Sequence, residues 1–350
     1  MGDYDVYLTP EQVADRLQVG TETVYRYLRA GKLRGSRISH KAWRISEVNL
    51  ASFMRQQNIS ELLFEQYLAE QGLGKADHQP KFPGATKLVD YRLLHNGERL
   101  WFEVKEFADN MSLLNSGGAY DPYAAIRGKI HKAREKFRDY DGECCSLVLF
   151  NEAISLAHIS TPGIVLSAMF GNLSFRVPVD LKSARMAEPP KSFFGRGGKI
   201  TVSHDGVVLN TTISAVIALE RLPVGPREIQ IRMRREELNA PHPLTWEETS
   251  KMVVPTSPAE ELIVLRTIVY ENPYATSPLP KEIFRGAYDQ RWGRLDNQMA
   301  PIYVGPALED LERRERELDL NLSPTQRFLK AQEQRKAAGG PGPADLSKEQ

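Results

Sequence analysis

The stretch "KLVDYRLLHNGERLWFEVKEF", residues 87–107, reads as two hydrophobic strands around one tight turn. Asn96-Gly97 is the turn, because both central residues of a type I′ hairpin need positive φ and Asn-Gly supplies them at least cost. If the loop is those two residues, His95 faces Glu98 and Asp90 falls opposite Glu103. Side chains alternate along a strand. One face then collects Val89, Tyr91, Leu93, Leu100, Phe102 and Val104, which is a core face. The other collects Asp90, Arg92, Trp101, Glu103 and Lys105. Two carboxylates directly opposite each other repel, so this register demands a positive partner between them. Lys105 is one candidate. A divalent metal is a better one, since hard cations prefer carboxylate oxygens.

These residues resemble the PD-(D/E)XK, or restriction-endonuclease-like, nucleases. That pattern is an acidic helix residue, then an aspartate, then Glu-x-Lys on the next strand. "SELLFEQYLAEQGL" supplies Glu65 on the leading helix, "LVDYR" supplies Asp90, and "FEVKEF" supplies Glu103 and Lys105. The proline usual before the aspartate is Val89 here. The resemblance covers residues 58–152. It implies an α/β fold with an αβββαβ core and a mixed sheet, and metal-dependent hydrolysis of a DNA phosphodiester. Mg²⁺ (or Mn²⁺) is expected on Asp90, Glu103 and the Val104 carbonyl. Lys105 would orient the attacking water, and Glu65 would support the metal shell through water. A restriction or phage-defence role and a homodimer are further implications, since cutting both strands needs two sites.

The segment before it, "YLTPEQVADRLQVGTETVYRYLRAGKLRGSRISHKAWRISEVNLASFMRQQ", has its own logic. Thr9 is an N-cap with Pro10 at the first helical position. Val13, Ala14 and Leu17 give a buried stripe, and Gly20 breaks the chain. Thr21 caps a second helix that buries Val24, Tyr27 and Leu28. Thr23, Tyr25, Arg26 and Arg29 then face outward, and Gly31 ends the helix. Two short helices around a tight turn make a helix-turn-helix, whose second helix can enter the major groove. Arg37, Lys41 and Arg44 lie on a small hairpin that can touch phosphate. The pattern resembles the excisionase/MerR-type winged helix-turn-helix family. Nine Lys/Arg against two acids between Arg16 and Asn58 make an electrostatic footprint for duplex DNA. A helix-turn-helix favours the B-form major groove over RNA.

Beyond the hairpin, "YAAIRGKIHKAREKFRDY" is a helix with Ile126, Ile130, Ala133 and Phe137 buried. Lys129, Lys132 and Lys136 lie on a common basic side, and the first two are candidates for tracking phosphate. "CSLVLFN" follows as a buried strand. The third strand of the αβββαβ order is sought in "HQPKFPGAT". "KITVSHDGVVLNTTISAVIALERL" suggests two strands and "REIQIRMRREEL" a further, basic one. "ENPYATSPLPKEIFRGAYDQRWG" is read as an ordered irregular segment, and "LEDLERRERELDL" as a charged helix.

The chain has 350 residues, enough for two or three domains. The boundaries drawn are 1–57 for the DNA-binding domain, 58–155 for the nuclease-like core, 156–330 for a sheet extension or accessory subdomain, and 331–350 for a disordered tail. No apolar run approaches a membrane span, the start is acidic and polar, and the only cysteines, Cys144 and Cys145, are adjacent. A cytoplasmic protein without a membrane partner is expected. There is no H-E-x-x-H and no G-x-S-x-G, and "FFGRGGKIT" lacks the phosphate-loop spacing. The alternative is a DNA-binding regulator or recombination accessory protein whose nuclease-like domain is inactive.

Overall fold

The computed structural model describes residues 7–17, 19–29, 31, 33–38, 42–55, 59–107, 121–151, 158–177, 179–180, 185–186, 191–195, 197–200, 210–240, 244–296, 298–318, 326 and 329–330. Lys41, the strand expected before Asn210 and the tail after residue 330 lie outside them.

The chain divides into two compact units, one of residues 1–220 and 265–303, the other of residues 221–264 and 304–350. The sequence boundary at residue 155 therefore falls inside the first unit rather than between units. The cause is that later strands return to the sheet begun by the hairpin.

The first unit opens with β1 (Tyr7–Leu8), α1 (Pro10–Leu17), α2 (Thr21–Arg29), β2 (Ser36–Arg37), β3 (Trp43–Ser46) and α3 (Glu47–Arg55). Gln12 Oε1 accepts from Thr9 N at 2.8 Å, and Thr9 Oγ1 accepts from Gln12 N at 3.3 Å. This reciprocal capping box fixes the start of α1. Gly20, not Thr21, takes the position before α2, and its carbonyl accepts from Thr23 N at 2.8 Å. Val13, Ala14, Val24, Leu28, Leu33, Ile45 and Leu50 form a small closed core, with Tyr27 partly buried against it. β3 is paired on one side to β1 and on the other to β2, so Arg37 stands beside Trp43 and Ser36 beside Arg44. A side chain at Gly35 would place Cβ 2.9 Å from Leu28 Cδ2 and 3.1 Å from the Arg44 carbonyl. A side chain there would have to push Leu28 of α2 aside and crowd β3, so the bare position eases the close approach of this hairpin to α2.

The larger part of the unit is one sheet. Its strands are β4 (Asp77–His78), β5 (Tyr91–His95), β6 (Glu98–Glu106), β7 (Cys144–Phe150), β12 (Ile213–Pro223), β13 (Ile263–Glu271), β14 (Gln290–Leu295) and β15 (Gln298–Val304). They lie in the order β15-β14-β13-β12-β7-β6-β5-β4. The short strands β8 (Leu173–Arg176), β9 (Val179–Asp180), β10 (Arg185–Met186) and β11 (Lys191–Phe194) pair as β8 with β11 and β9 with β10 outside this sheet. β5 and β6 are antiparallel, and His95 pairs with Glu98 as the turn requires. Asn96 and Gly97 have φ of 51° and 82°. β6 then runs parallel to β7, and β7 parallel to β12.

α4 (Ile59–Glu70) covers one face of the sheet with Leu63, Phe64, Tyr67 and Leu68, against Tyr91, Leu93, Leu100, Phe102 and Val104. α5 (Ala124–Phe137) and α6 (Pro162–Phe170) contribute to the other cluster. All four residues of the stripe read for α5, Ile126, Ile130, Ala133 and Phe137, are buried there. Two details differ from the alternation expected of the hairpin. Trp101 is buried with α5, so both faces of β6 are covered. Val89 also joins this cluster rather than that of Tyr91. The chain bends at Asp90 before β5 begins, and strict alternation starts only with the strand. The third strand proves to be the two-residue β4, paired through Asp77 with Arg92 and His78 with Tyr91.

The segment 272–289 is irregular and ordered by buried polar groups. The Arg291 guanidinium donates to the carbonyls of Leu279, Pro280 and Ile283 at 2.9–3.1 Å and to Glu271 at 2.5 Å. Asp289 accepts from Tyr67, Thr267 N and Gly286 N. "RGGK" has a packing explanation. A Cβ on Gly198 would sit 2.2 Å from the Phe170 carbonyl carbon, so the glycine lets the chain pass the end of α6.

The second unit contains α7 (Val224–Asn239), α8 (Trp246–Met252), a short 3₁₀ turn (Pro258–Glu261) and α9 (Pro306–Glu317). "REIQIRMRREEL" is thus a helix and not a strand. Ile229, Ile231 and Met233 alternate for only a few residues. The longer run carries helical ion pairing instead, with Arg234 reaching Glu237 at 2.8 Å, three residues on. Arg314 of α9 pairs with Glu228 at 2.6 Å. Leu308 and Leu311 give that charged helix a buried side.

Candidate functional site

The centre of the site is where Asp90 meets the C-terminal half of β6. Register places Asp90 beyond the last paired residues, Tyr91 and Phe102. Its Oδ2 accepts from the Val104 backbone N–H at 2.8 Å, which ties it across the strand. Glu103 points toward α5 and is fully buried (0 % exposed). Lys105, two residues along, contacts Glu103 Oε1 and lies 3.6 Å from Asp90 Oδ2. Its ammonium also donates to the Val104 carbonyl at 3.1 Å. The structure therefore brings Asp90, Glu103, Val104 and Lys105 together around one point.

A fourth charge joins them that the sequence reading left outside. Lys136, in the last turn of α5, lies 2.7 Å from Glu103 Oε1, 2.8 Å from Glu103 Oε2 and 3.6 Å from Asp90 Oδ1. Lys136 flanks the buried stripe beside Phe137. Nothing in sequence spacing separates it from Lys129 and Lys132; only the seating of α5 on β6 selects it. Burial pushes the Glu103 carboxyl above the usual range, and the Asp90 charge adds to this, against the pull of the lysines. Burial acts to lower Lys136, but its hydrogen bond to Glu103 and the two carboxylate charges prevail, and it is held above an ordinary lysine.

The residues fit a hard divalent cation in donor chemistry. Two carboxylates and a carbonyl converge, and Glu103 Oε1 is buried with ion contacts but without an aligned hydrogen bond. No group of three His, Cys, Asp or Glu side chains that could hold a metal occurs among the described residues. The remaining positions of such an ion would fall to water and phosphate, as is usual for Mg²⁺.

The other candidates are placed as follows. Glu65 lies on α4, and its Oε1 accepts from Tyr91 Oη at 2.9 Å. Tyr91 belongs to the cluster on the opposite face of the sheet from α5. Lys129 is half-buried, and its Nζ donates to the Glu106 carbonyl at 2.8 Å. Burial, then Lys132 and Lys105, lowers it below an ordinary lysine. Lys132 is exposed. On the recognition helix Arg26 and Arg29 are exposed and Thr23 half-buried. Arg29 pairs with Glu22 at 3.1 Å. Tyr25 is half-buried rather than fully outward, and its hydroxyl donates to Glu11 at 3.4 Å. Arg37 is exposed on the wing, and Arg44 is half-buried with a donor on the Trp43 carbonyl. Arg34, just before the wing, forms an ion pair with Glu106 of β6. The helix-turn-helix and the candidate catalytic strand thus touch directly.

Residues 7–58 match the helix-turn-helix domain family. The chain carries such a domain, and with it the expectation of DNA binding that the domain implies. The comparisons with curated proteins and with solved structures returned no match. No helix among the described residues is long and apolar enough to cross a membrane.

Proposed function

We propose that the chain is a DNA-directed, metal-dependent endonuclease of the restriction-endonuclease-like kind. The observation that carries this is the convergence of Asp90, Glu103, the Val104 carbonyl and Lys105 at one end of the hairpin, with both acids within reach of a single cation. The order of the described elements, α4, β4, β5, β6, α5, β7, supports an αβββαβ core. Mg²⁺ or Mn²⁺ held by Asp90, Glu103 and the Val104 carbonyl would supply Lewis-acid polarisation of a phosphate. Lys105 orients the attacking water and offsets the charge that develops on the phosphate oxygens. Lys129 and Lys132 stand on the same helix as Lys136 and offer charge to the flanking backbone. The helix-turn-helix brings double-stranded DNA to the site through Arg26 and Arg29, with Arg37 and Arg44 on the wing; Lys41 is a further candidate from the sequence alone. Cutting both strands would call for two copies of the site, hence a homodimer, and a restriction or phage-defence role fits such an enzyme. The two buried free thiols, Cys144 and Cys145, suit a reducing cytoplasm.

A second reading is a DNA-binding regulator with an inactive nuclease-like domain. One observation favours it: two lysines already neutralise the two carboxylates. Cleavage of plasmid and linear duplex with Mg²⁺ or Mn²⁺ separates the two. Metal-dependent cutting lost in Glu103→Ala and in Lys105→Ala supports the enzyme. Duplex binding without cutting by wild type at any metal concentration supports the regulator.

A further inference from the structure

Among the four charges at the site, Lys136 is the cation that contacts both oxygens of Glu103 and also faces Asp90. Asp90 Oδ2 accepts from the Val104 N–H, and Oδ1 is the oxygen that faces Lys136. The Lys105 ammonium shares Glu103 Oε1 with Lys136, but it faces Oδ2 of Asp90 and donates to the Val104 carbonyl. A dication held by Asp90 and Glu103 would compete with Lys136 for these carboxylate oxygens. With two carboxylates and two ammoniums the cluster is neutral, and adding a dication without removing an ammonium would leave an excess of two positive charges beside a fully buried carboxylate.

We propose that Lys136 is a built-in counter-cation that holds the carboxylate pair together and must swing out before a divalent metal can enter. The inference rests on the metal-dependent reading above. The Lys136 side chain can make that movement. It keeps 26 % of its surface in solvent, while Glu103 has none, so a retreating ammonium gains hydration and the carboxylate cannot follow. Lys105 is about as exposed, at 27 %, but its ammonium is held in addition by the Val104 carbonyl at 3.1 Å, so Lys136 is the one with less to lose by leaving. Lys136 thereby sets the metal affinity of the site, and a wild-type site holds its metal weakly.

The test is Mn²⁺ binding to the full chain by calorimetry, with melting in the presence and absence of Mn²⁺ as a second readout. Lys136→Met removes the competing charge, and its Mn²⁺ affinity should rise by about tenfold or more. Lys136→Arg keeps the charge and grips a carboxylate with a planar fork, so affinity should fall by about tenfold. Glu103→Gln should abolish binding. If Lys136→Met does not fold, Lys136→Gln provides the neutral side chain. Wild-type binding that Glu103→Gln abolishes, with Lys136→Met (or Gln) and Lys136→Arg unchanged, would make Lys136 a structural ion pair only and overturn the inference alone. Folded wild type and folded neutral variant that both fail to bind Mn²⁺ would overturn the inference and the metal-dependent reading together.

Discussion

Glu103 and its neighbours pull in opposite directions. Burial and Asp90 disfavour the charged carboxylate, whereas the same carboxylate stabilises the ammonium of Lys136. The raised folded-state pKa of Glu103 has a sign that can be worked out. Its contribution to stability is fully present below the unfolded value, near 4.5, and is lost as pH rises through the folded value. Glu103→Gln is free of that loss. Urea unfolding of both proteins from about pH 4 to neutrality should show the variant gaining on wild type as pH rises; a constant difference would contradict the assigned direction. Asp90, Glu103 and Lys105 were legible in the sequence because a two-residue turn fixes the register that pairs them. Lys136 was not, since its partner lies thirty-three residues away and no local pattern encodes that distance.

At the scale of elements, the hairpin shows how much a turn can determine. Asn96 and Gly97 both sit at positive φ, and this twist lets the strands meet without a longer loop. Gly97→Ala puts an L side chain in the left-handed region and should cost about 1–2 kcal/mol in chemical denaturation. A neutral result would mean that the turn does not hold the register. α7 shows where the same kind of reading failed. Alternating Ile229, Ile231 and Met233 resembled a strand, but a sixteen-residue charged segment satisfies its backbone internally as a helix. α5 was read correctly because its apolar stripe persists over three turns.

At the scale of the molecule, the DNA binding implied by the helix-turn-helix and the proposed chemistry fall on different parts of the first unit. Arg26→Ala with Arg29→Ala should weaken duplex binding and reduce the salt slope by about 2, one for each lost phosphate contact. Asp90→Ala, read without metal, should bind duplex within about twofold of wild type, because phosphate charge carries non-specific affinity. Fluorescence anisotropy over a salt series checks both, and equal losses in the two proteins would undo the division of labour. The Arg34–Glu106 pair joins these parts, but Arg34 is more than half exposed and the contact contributes little energy in itself.

The sequence by itself determined the helix-turn-helix, the hairpin register, the pairing of two acids with Lys105 and the buried stripe of α5. Each depends on turn chirality, capping or periodicity, which act over a few residues. Only the tertiary structure decided that both faces of β6 are covered, that strands after residue 210 complete the same sheet, and that Lys136 closes the carboxylate pair. These features depend on which distant segments bury one another, and burial is a property of the assembled chain rather than of any stretch of it.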